Sequence, residues 1–227
     1  PTTSSPILLG GLWWSVSSSN VLSRLSTCDS RMKMNEHDVV IVSVARTPMG
    51  GFQGCLKGLT APQLGAISIK AAVDRAQVPV ESIEELVMGC VLPAGQGQAP
   101  ARQASIGAGL PLSVGCTTIN KMCGSGMKAV MLTHDLIKAG SARVVVAGGM
   151  ESMTNAPYLL PRARSGYRLG HQEVKDHMFL DGLEDAYDKG RLMGAYAEDC
   201  AGTYQFSREQ QDAFSIESLE RAKRANE

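Results

Sequence analysis

A cysteine stands where a predicted strand ends and a predicted helix begins, in the segment 120–126 (NKMCGSG). After it, apolar residues recur at helical spacing up to Gly140, a residue suited to ending a helix. Free backbone N–H groups and the positive end of the helix dipole favour an anion there, so a thiolate at Cys123 would be stabilised. Gly124 and Gly126 have no side-chain bulk and would let a substrate approach the sulfur. The segment therefore predicts a site for a nucleophile.

The chain contains six cysteines, Cys28, Cys55, Cys90, Cys116, Cys123 and Cys200. They form no Cys-x-x-Cys pair, a pattern typical of reduced thiols in an intracellular protein. A buried structural thiol is the usual fate of a free cysteine. We expect it for Cys55, Cys90, Cys116 and Cys200, whereas for Cys123 both roles stay open. His171 and His177 are six positions apart, but no carboxylate or thiol completes a metal site, so we expect no metal.

The same residues allow a second interpretation. The segment 124–129 (GSGMKA) fits the pattern G-x-G-x-x-A between a strand and a helix, and Glu151 follows the next strand at the distance of a ribose-binding carboxylate. A dinucleotide-binding oxidoreductase is therefore an alternative class. Against it, this is the third strand–helix turn, and the strand before it carries Thr117 and Thr118 in place of a continuous apolar run.

Predicted strands and helices alternate from Asp38 onward. The β-branched run at 39–44 predicts a strand buried on both faces of a sheet. Further strands are predicted over 86–91, 114–119 and 143–149, and helices over 61–77, 101–108 and after Cys123. The helix after Cys123 would pack through Met127, Val130, Met131 and Ile137. This order favours an α/β fold with a mostly parallel, mixed sheet and right-handed crossovers.

Composition bounds the class of protein. The 227 residues carry 22 basic and 22 acidic side chains and are 44% hydrophobic, as expected of a globular protein with a substantial core. A net charge of zero gives no sign of a nucleic-acid partner. Residues 1–34 are rich in serine and poor in acids, and their apolar run at 7–16 is too short to span a bilayer. We expect no membrane partner and exclude 1–34 from the fold as a disordered, organelle-targeting or artificial extension.

The regular pattern ends at Gly149. Residues 150–206 are rich in Pro, Gly, Arg, Asp and Tyr, and a segment of that length predicts a functional loop or a small subdomain. Ser207 and Gln210 then predict a capping box that opens a helix running to about Ala222. We therefore expect an α/β core over 35–149, a loop domain over 150–206, and a helix over 207–227 that returns to the core.

Four segments resemble one known family, in that family's order. They are 46–52 (RTPMGGF), 89–104 (GCVLPAGQGQAPARQA), 120–126 (NKMCGSG) and 148–157 (GGMESMTNAP). From about Asp38 to its end, the chain is similar to the N-terminal half of a thiolase, closest to the acetyl-CoA acetyltransferase type. The resemblance implies a thiolase-like layered α/β fold with an inserted loop domain, and it favours a functional Cys123.

The resemblance also implies a reaction. Cys123 would attack an acyl-CoA thioester and hold the acyl group, with its backbone N–H in the oxyanion hole. A second acetyl-CoA would then attack this acyl group in a Claisen condensation. Thiolysis is the reverse reaction. Coenzyme A thioesters would be the substrates, with no further cofactor. The loop domain would cover the pantetheine arm, and Leu183 and Met193 would lie beside coenzyme A.

Some features depart from the family. Its activating histidine, oxyanion asparagine and second cysteine belong to a C-terminal half absent from these residues, so we expect little or no turnover from the 227-residue chain. Many acetyl-specific members read His-Met-Gly where this chain has Leu192-Met193-Gly194. A longer-chain 3-ketoacyl-CoA thiolase and a non-catalytic CoA-binding or oligomerising fragment are therefore alternatives. We also expect a dimer or tetramer in the cytoplasm, or in the mitochondrial matrix if 1–34 are a transit peptide.

Overall fold

The computed structural model describes residues 38–226 and the backbone of residues 7–10. The chain divides into two compact units, with the boundary between Met178 and Phe179. The first unit contains a five-stranded sheet in the order β2-β1-β5-β3-β4, in which all pairs are parallel. Its strands are β1 (Ile7–Gly10), β2 (Val40–Ile41), β3 (Glu85–Gly89), β4 (Gly115–Ile119) and β5 (Val144–Gly149). The predicted α/β class is confirmed.

Three α-helices lie among the described residues of this unit: α1 (Ala61–Ala76), α2 (Pro100–Gly107) and α3 (Ser125–Lys138). Successive residues of a strand point to opposite faces, which divides the core into two layers. Leu86 and Met88 of β3 pack with Ile69 of α1 on one face, while Val87 packs with Ala129 of α3 on the other. The helices therefore cover both faces of the sheet, as expected for an α/β fold.

The first strand after Asp38 differs from its prediction. β2 has two residues at the edge of the sheet, and Ile41 and Val44 are exposed, so the expected strand at 39–44 that is buried on both faces is wrong. The backbone of Ile7–Gly10, which sequence analysis excludes from the fold, pairs instead between β2 and β5. The rest of the expectation for residues 1–34 lies outside the described residues.

Helix α3 packs through part of the predicted stripe, since Ile137 is buried and Val130 packs against the core. Ala129, Thr133 and Ile137 are buried, whereas Met127 and Met131 are exposed. Small side chains on the sheet-facing side allow the first half of α3 to approach the strands closely, which long methionine side chains would prevent.

Beyond Glu151 the described chain is less regular. The short strands β6 (Tyr158–Leu159) and β7 (Lys175–Asp176) form an antiparallel pair. The second unit contains a π-helical turn, Phe179–Leu183, and the helices α4 (Met193–Thr203) and α5 (Arg208–Asn226).

The predicted capping box of α5 is confirmed. Ser207 N–H donates to Gln210 Oε1 at 2.8 Å, and Gln210 N–H donates to Ser207 Oγ at 3.3 Å. The domain boundaries at 149 and 206 remain predictions. Among the described residues, no helix is long and apolar enough to cross a bilayer.

Candidate active site

Cys123 lies in the connection between β4 and α3 and is exposed. The N-cap residue of α3 is Gly124, which provides no side-chain cap. In the described part of the chain, the backbone N–H groups of Gly126 and Met127 donate to no protein acceptor. The N-terminal end of α3 therefore retains the positive potential that stabilises negative charge.

The residue before Cys123 has a strained backbone. Met122 has a φ of 48°, in the left-handed region that favours glycine. Three hydrogen bonds hold it: its N–H donates to Asn120 Oδ1 at 2.9 Å, and its carbonyl accepts from Ser125 N–H at 2.9 Å and Ser125 Oγ at 2.6 Å. Ser125 Oγ also accepts from Lys121 N–H at 2.8 Å. Strain held by surrounding contacts is characteristic of functional sites.

Glycines at the ends of two strands allow α3 to begin at the sheet. A Cβ on Gly89 would lie 2.6 Å from both the backbone carbon and the Cβ of Ser125. A Cβ on Gly149 would lie 3.3 Å from Gly126 Cα. Gly126, which sequence analysis assigns to substrate access, thus also packs against β5. Gly89 and Gly149 lie in segments that carry the family resemblance, but their place at the ends of β3 and β5 was not predicted to position α3.

Glu151 follows β5 and binds the chain that follows β3. Its carboxylate accepts hydrogen bonds from Val91 N–H at 2.7 Å and Leu92 N–H at 3.0 Å, and from the Cys90 thiol at 3.5 Å. Burial, together with the neighbouring Glu151 carboxylate, raises the pKa of Cys90 from 9.0 to about 11. Cys90 is therefore an unreactive thiol at neutral pH, as the sequence predicts for it. The same expectation of burial is wrong for Cys55 and Cys200, which are exposed.

Two cavities adjoin this region. One, of about 290 Å³, is bordered by Arg46, Thr47, Gly126 and Glu151. The other, of about 440 Å³, lies along the segment 46–52, which carries part of the family resemblance. Gly126, three residues after Cys123, borders the first of these cavities.

The residues predicted to lie beside coenzyme A belong to the second unit. Leu183 ends the π-helical turn and is half-buried, while Met193 begins α4 and is 51% exposed. An isolated antiparallel bridge pairs Glu184 with Leu192, and Leu183 and Met193 are each one residue away from it along the chain.

The histidines have separate environments. His177 is buried, and its Nε2 accepts a hydrogen bond from Ala94 N–H at 3.4 Å. His171 is exposed, and His134 pairs with the carboxylate of Asp135. In the part of the chain that the structure describes, no three His, Cys, Asp or Glu side chains form a group that could hold a metal ion.

The fold and the cysteine connection define a class of protein. Residues 39–227 match the model of the thiolase N-terminal domain, and the chain belongs to the thiolase family. It is 54% identical to acetyl-CoA acetyltransferase 2 of Arabidopsis thaliana, over 86% of this chain and 48% of the relative. It is 53% identical to the acetyl-CoA acetyltransferase of Cupriavidus necator, over 83% of this chain and 48% of the relative.

A solved structure gives the same result. The Acat5 thiolase from Ascaris suum, in complex with coenzyme A, matches with a TM-score of 0.75 and 42% identity, over 80% of this chain and 47% of that chain. The chain thus spans about half the length of the curated relatives it matches. The predicted family and the thiolase-like fold are confirmed.

The dinucleotide interpretation receives no support from the structure. Its glycine segment follows β4, the strand at the edge of the sheet, and not a central strand of a dinucleotide fold. The carboxylate of Glu151 accepts two backbone N–H groups and a thiol of its own chain.

Proposed function

We propose that Cys123 is the nucleophile of an acetyl-CoA C-acetyltransferase. The observation that carries the proposal is an exposed cysteine beside the uncapped N-terminus of α3, in a chain about half identical to acetyl-CoA acetyltransferases. The sulfur of Cys123 attacks the thioester carbonyl carbon, a new carbon–sulfur bond forms, and the bond to coenzyme A breaks. The departing sulfur of coenzyme A takes up a proton.

In the second half of the reaction, the α-carbanion of another acetyl-CoA attacks the acetyl group on Cys123. A carbon–carbon bond forms, the carbon–sulfur bond to Cys123 breaks, and acetoacetyl-CoA leaves. The released cysteine sulfur takes up the proton that the second acetyl-CoA lost from its α-carbon; thiolysis is the same sequence reversed. The backbone N–H of Cys123 supports this role as an oxyanion donor beside the positive end of α3. Gly124 leaves room for the thioester, since a Cβ there would approach no atom closer than 3.5 Å.

Coenzyme A binding is proposed for the second unit. Leu183 and Met193 each neighbour one residue of the Glu184–Leu192 bridge, and two apolar side chains beside that bridge would suit a pantetheine arm. The Ascaris suum relative was solved with coenzyme A bound, which supports this ligand class. We further propose self-association as a dimer or tetramer, and a cytoplasmic location. A mitochondrial matrix location is the alternative, since a Xenopus laevis relative is named mitochondrial.

Alkylation tests the nucleophile. Under limiting iodoacetamide, Cys123 is expected to be labelled before Cys55 and Cys200, which are also exposed, and acetyl-CoA is expected to protect Cys123 alone. The Cys123→Ala variant is the control for site assignment. Equal labelling of Cys123 and Cys200 would contradict an activated thiol.

Ligand-induced thermal shifts test the substrate class. Coenzyme A is expected to raise the melting temperature of the protein, whereas NAD(H) is expected to leave it unchanged. Leu183→Asp and Met193→Asp should reduce the shift with coenzyme A, whereas Leu169→Asp, at a 92% exposed position, should not. A shift with NAD(H) alone would support the dinucleotide alternative.

Turnover tests the need for further groups. The family resemblance assigns the activating histidine and the second cysteine to a C-terminal half, so the 227-residue chain is expected to cleave acetoacetyl-CoA slowly or not at all. Rapid cleavage that Cys123→Ala abolishes would show that a group within this chain acts as the base.

A further inference from the structure

One hydrogen-bonded path connects Glu151 to the residue before Cys123. Glu151 Oε2 accepts from Val91 N–H at 2.7 Å. The carbonyl of the same residue, Val91, accepts from Asn120 Nδ2 at 3.4 Å, and Asn120 Oδ1 accepts from Met122 N–H at 2.9 Å. The path therefore runs from the end of β5, through the chain after β3, to the connection that carries Cys123.

The conformation at the end of this path needs external support. Met122 has a left-handed backbone, which strains a residue with a Cβ and persists only where surrounding contacts hold it. Asn120 supplies one of those contacts, and its side chain is exposed, so its orientation depends on the bond it makes to Val91. The position of Val91 depends in turn on the carboxylate of Glu151, which fixes the N–H groups of Val91 and Leu92.

We propose that Glu151 is a positioning residue for Cys123, acting through Val91 and Asn120 to hold the Met122 backbone. This inference rests on the proposed role of Cys123 as the nucleophile. A carboxylate is suited to the task because it accepts two backbone N–H groups at once, and because hydrogen bonds in a chain strengthen one another. The carboxylate makes no contact with substrate in this role.

Amide hydrogen exchange in the full chain tests the path. Glu151→Gln replaces one acceptor oxygen with a donor, so either Val91 or Leu92 loses its partner. Protection is expected to fall about threefold to tenfold at Val91 or Leu92 and also at Met122, the loss expected for one net hydrogen bond. Loss at Val91 or Leu92 without any change at Met122 would overturn the proposal, since Glu151 would then only anchor its own loop.

Asn120→Ala breaks the second half of the path at an exposed position, which keeps the test valid if Glu151→Gln does not fold. It is expected to reduce protection at Met122 and leave Leu92 unchanged. In the more affected single variant, the rate of iodoacetamide labelling at Cys123 should fall by about threefold to tenfold. In the double variant, the labelling rate should fall no further than that. Additive losses would show two independent structural effects and overturn the proposal.

Glu84→Gln is the matched control. The carboxylate of Glu84 also accepts a backbone N–H, from Arg143, at the opposite ends of β3 and β5. Because Gln keeps one acceptor oxygen for this single N–H, the variant should change protection little at Arg143 and not at all at Met122. The labelling rate does not depend on acyl transfer, so it separates the two proposals. Slow labelling of wild-type Cys123 contradicts the proposed function. Rapid labelling that Glu151→Gln leaves unchanged contradicts only the positioning role of Glu151.

Discussion

Gly89, the last residue of β3, lies so close to Ser125, the first residue of α3, that a Cβ on Gly89 would be 2.6 Å from the Ser125 backbone carbon. The obstacle includes backbone, so no rotamer change relieves it. The start of α3, and with it the connection carrying Cys123, can occupy its position on the sheet because β3 ends in glycine.

Gly89→Ala is therefore expected to destabilise the protein by about 1–3 kcal/mol, the usual cost of forcing extra volume into a packed interface. Urea unfolding measures the change. Gly58→Ala is the control, because nothing lies within 4 Å of a Cβ built there, and it should change stability by less than about 0.5 kcal/mol. Equal effects of the two substitutions would show that α3 shifts freely.

The left-handed backbone of Met122 predicts a sharp dependence on side-chain branching. Met122→Val should cost about 1 kcal/mol or more in unfolding free energy, because a β-branched residue at a φ of 48° is more strained than methionine. Met49→Val is the control, since Met49 is 88% exposed and not among the residues with positive φ. The urea midpoints of both variants measure the change in stability. An unchanged midpoint for Met122→Val would contradict backbone strain at Met122.

Cys90 predicts a loss of stability at high pH. Its thiol titrates at about 11 in the folded protein against 9.0 ordinarily, so between these values the unfolded chain binds fewer protons than the folded one. Stability from this group is complete below about pH 9 and is lost as the pH rises through 11. Urea midpoints from pH 8 to pH 11 should fall more steeply for wild type than for Cys90→Ala, and parallel curves would contradict the raised pKa.

The capping box at the N-terminus of α1 is expected to make a measurable contribution to stability. Thr60 and Gln63 form a reciprocal pair in which Thr60 N–H donates to Gln63 Oε1 at 2.8 Å and Gln63 N–H donates to Thr60 Oγ1 at 3.4 Å. Thr60→Ala should cost about 1 kcal/mol in thermal or urea unfolding, whereas Thr60→Ser keeps the oxygen and should cost much less. If both variants lose the same stability, the hydroxyl is not the cap.

Features set by neighbours in the chain could be predicted from the sequence. The capping box at Ser207 and Gln210 depends on residues three positions apart, and the structure confirms it. Cys123 between a strand and a helix, and the order of the strands and helices in the core, follow from local periodicity in the same way. Motifs with family-specific residues at short spacing were sufficient to indicate the thiolase family.

Features set by residues distant in the chain were decided only by the tertiary structure. The exposure of β2 depends on its place at the sheet edge, and the close packing of Gly89 on Ser125 depends on the crossing of two elements. The path from Glu151 through Val91 to Asn120 joins three parts of the chain whose separation in sequence carries no signal of contact. Periodicity and capping are short-range effects of backbone geometry, whereas edge position, backbone approach and long-range hydrogen bonds exist only once the parallel sheet brings its strand ends together.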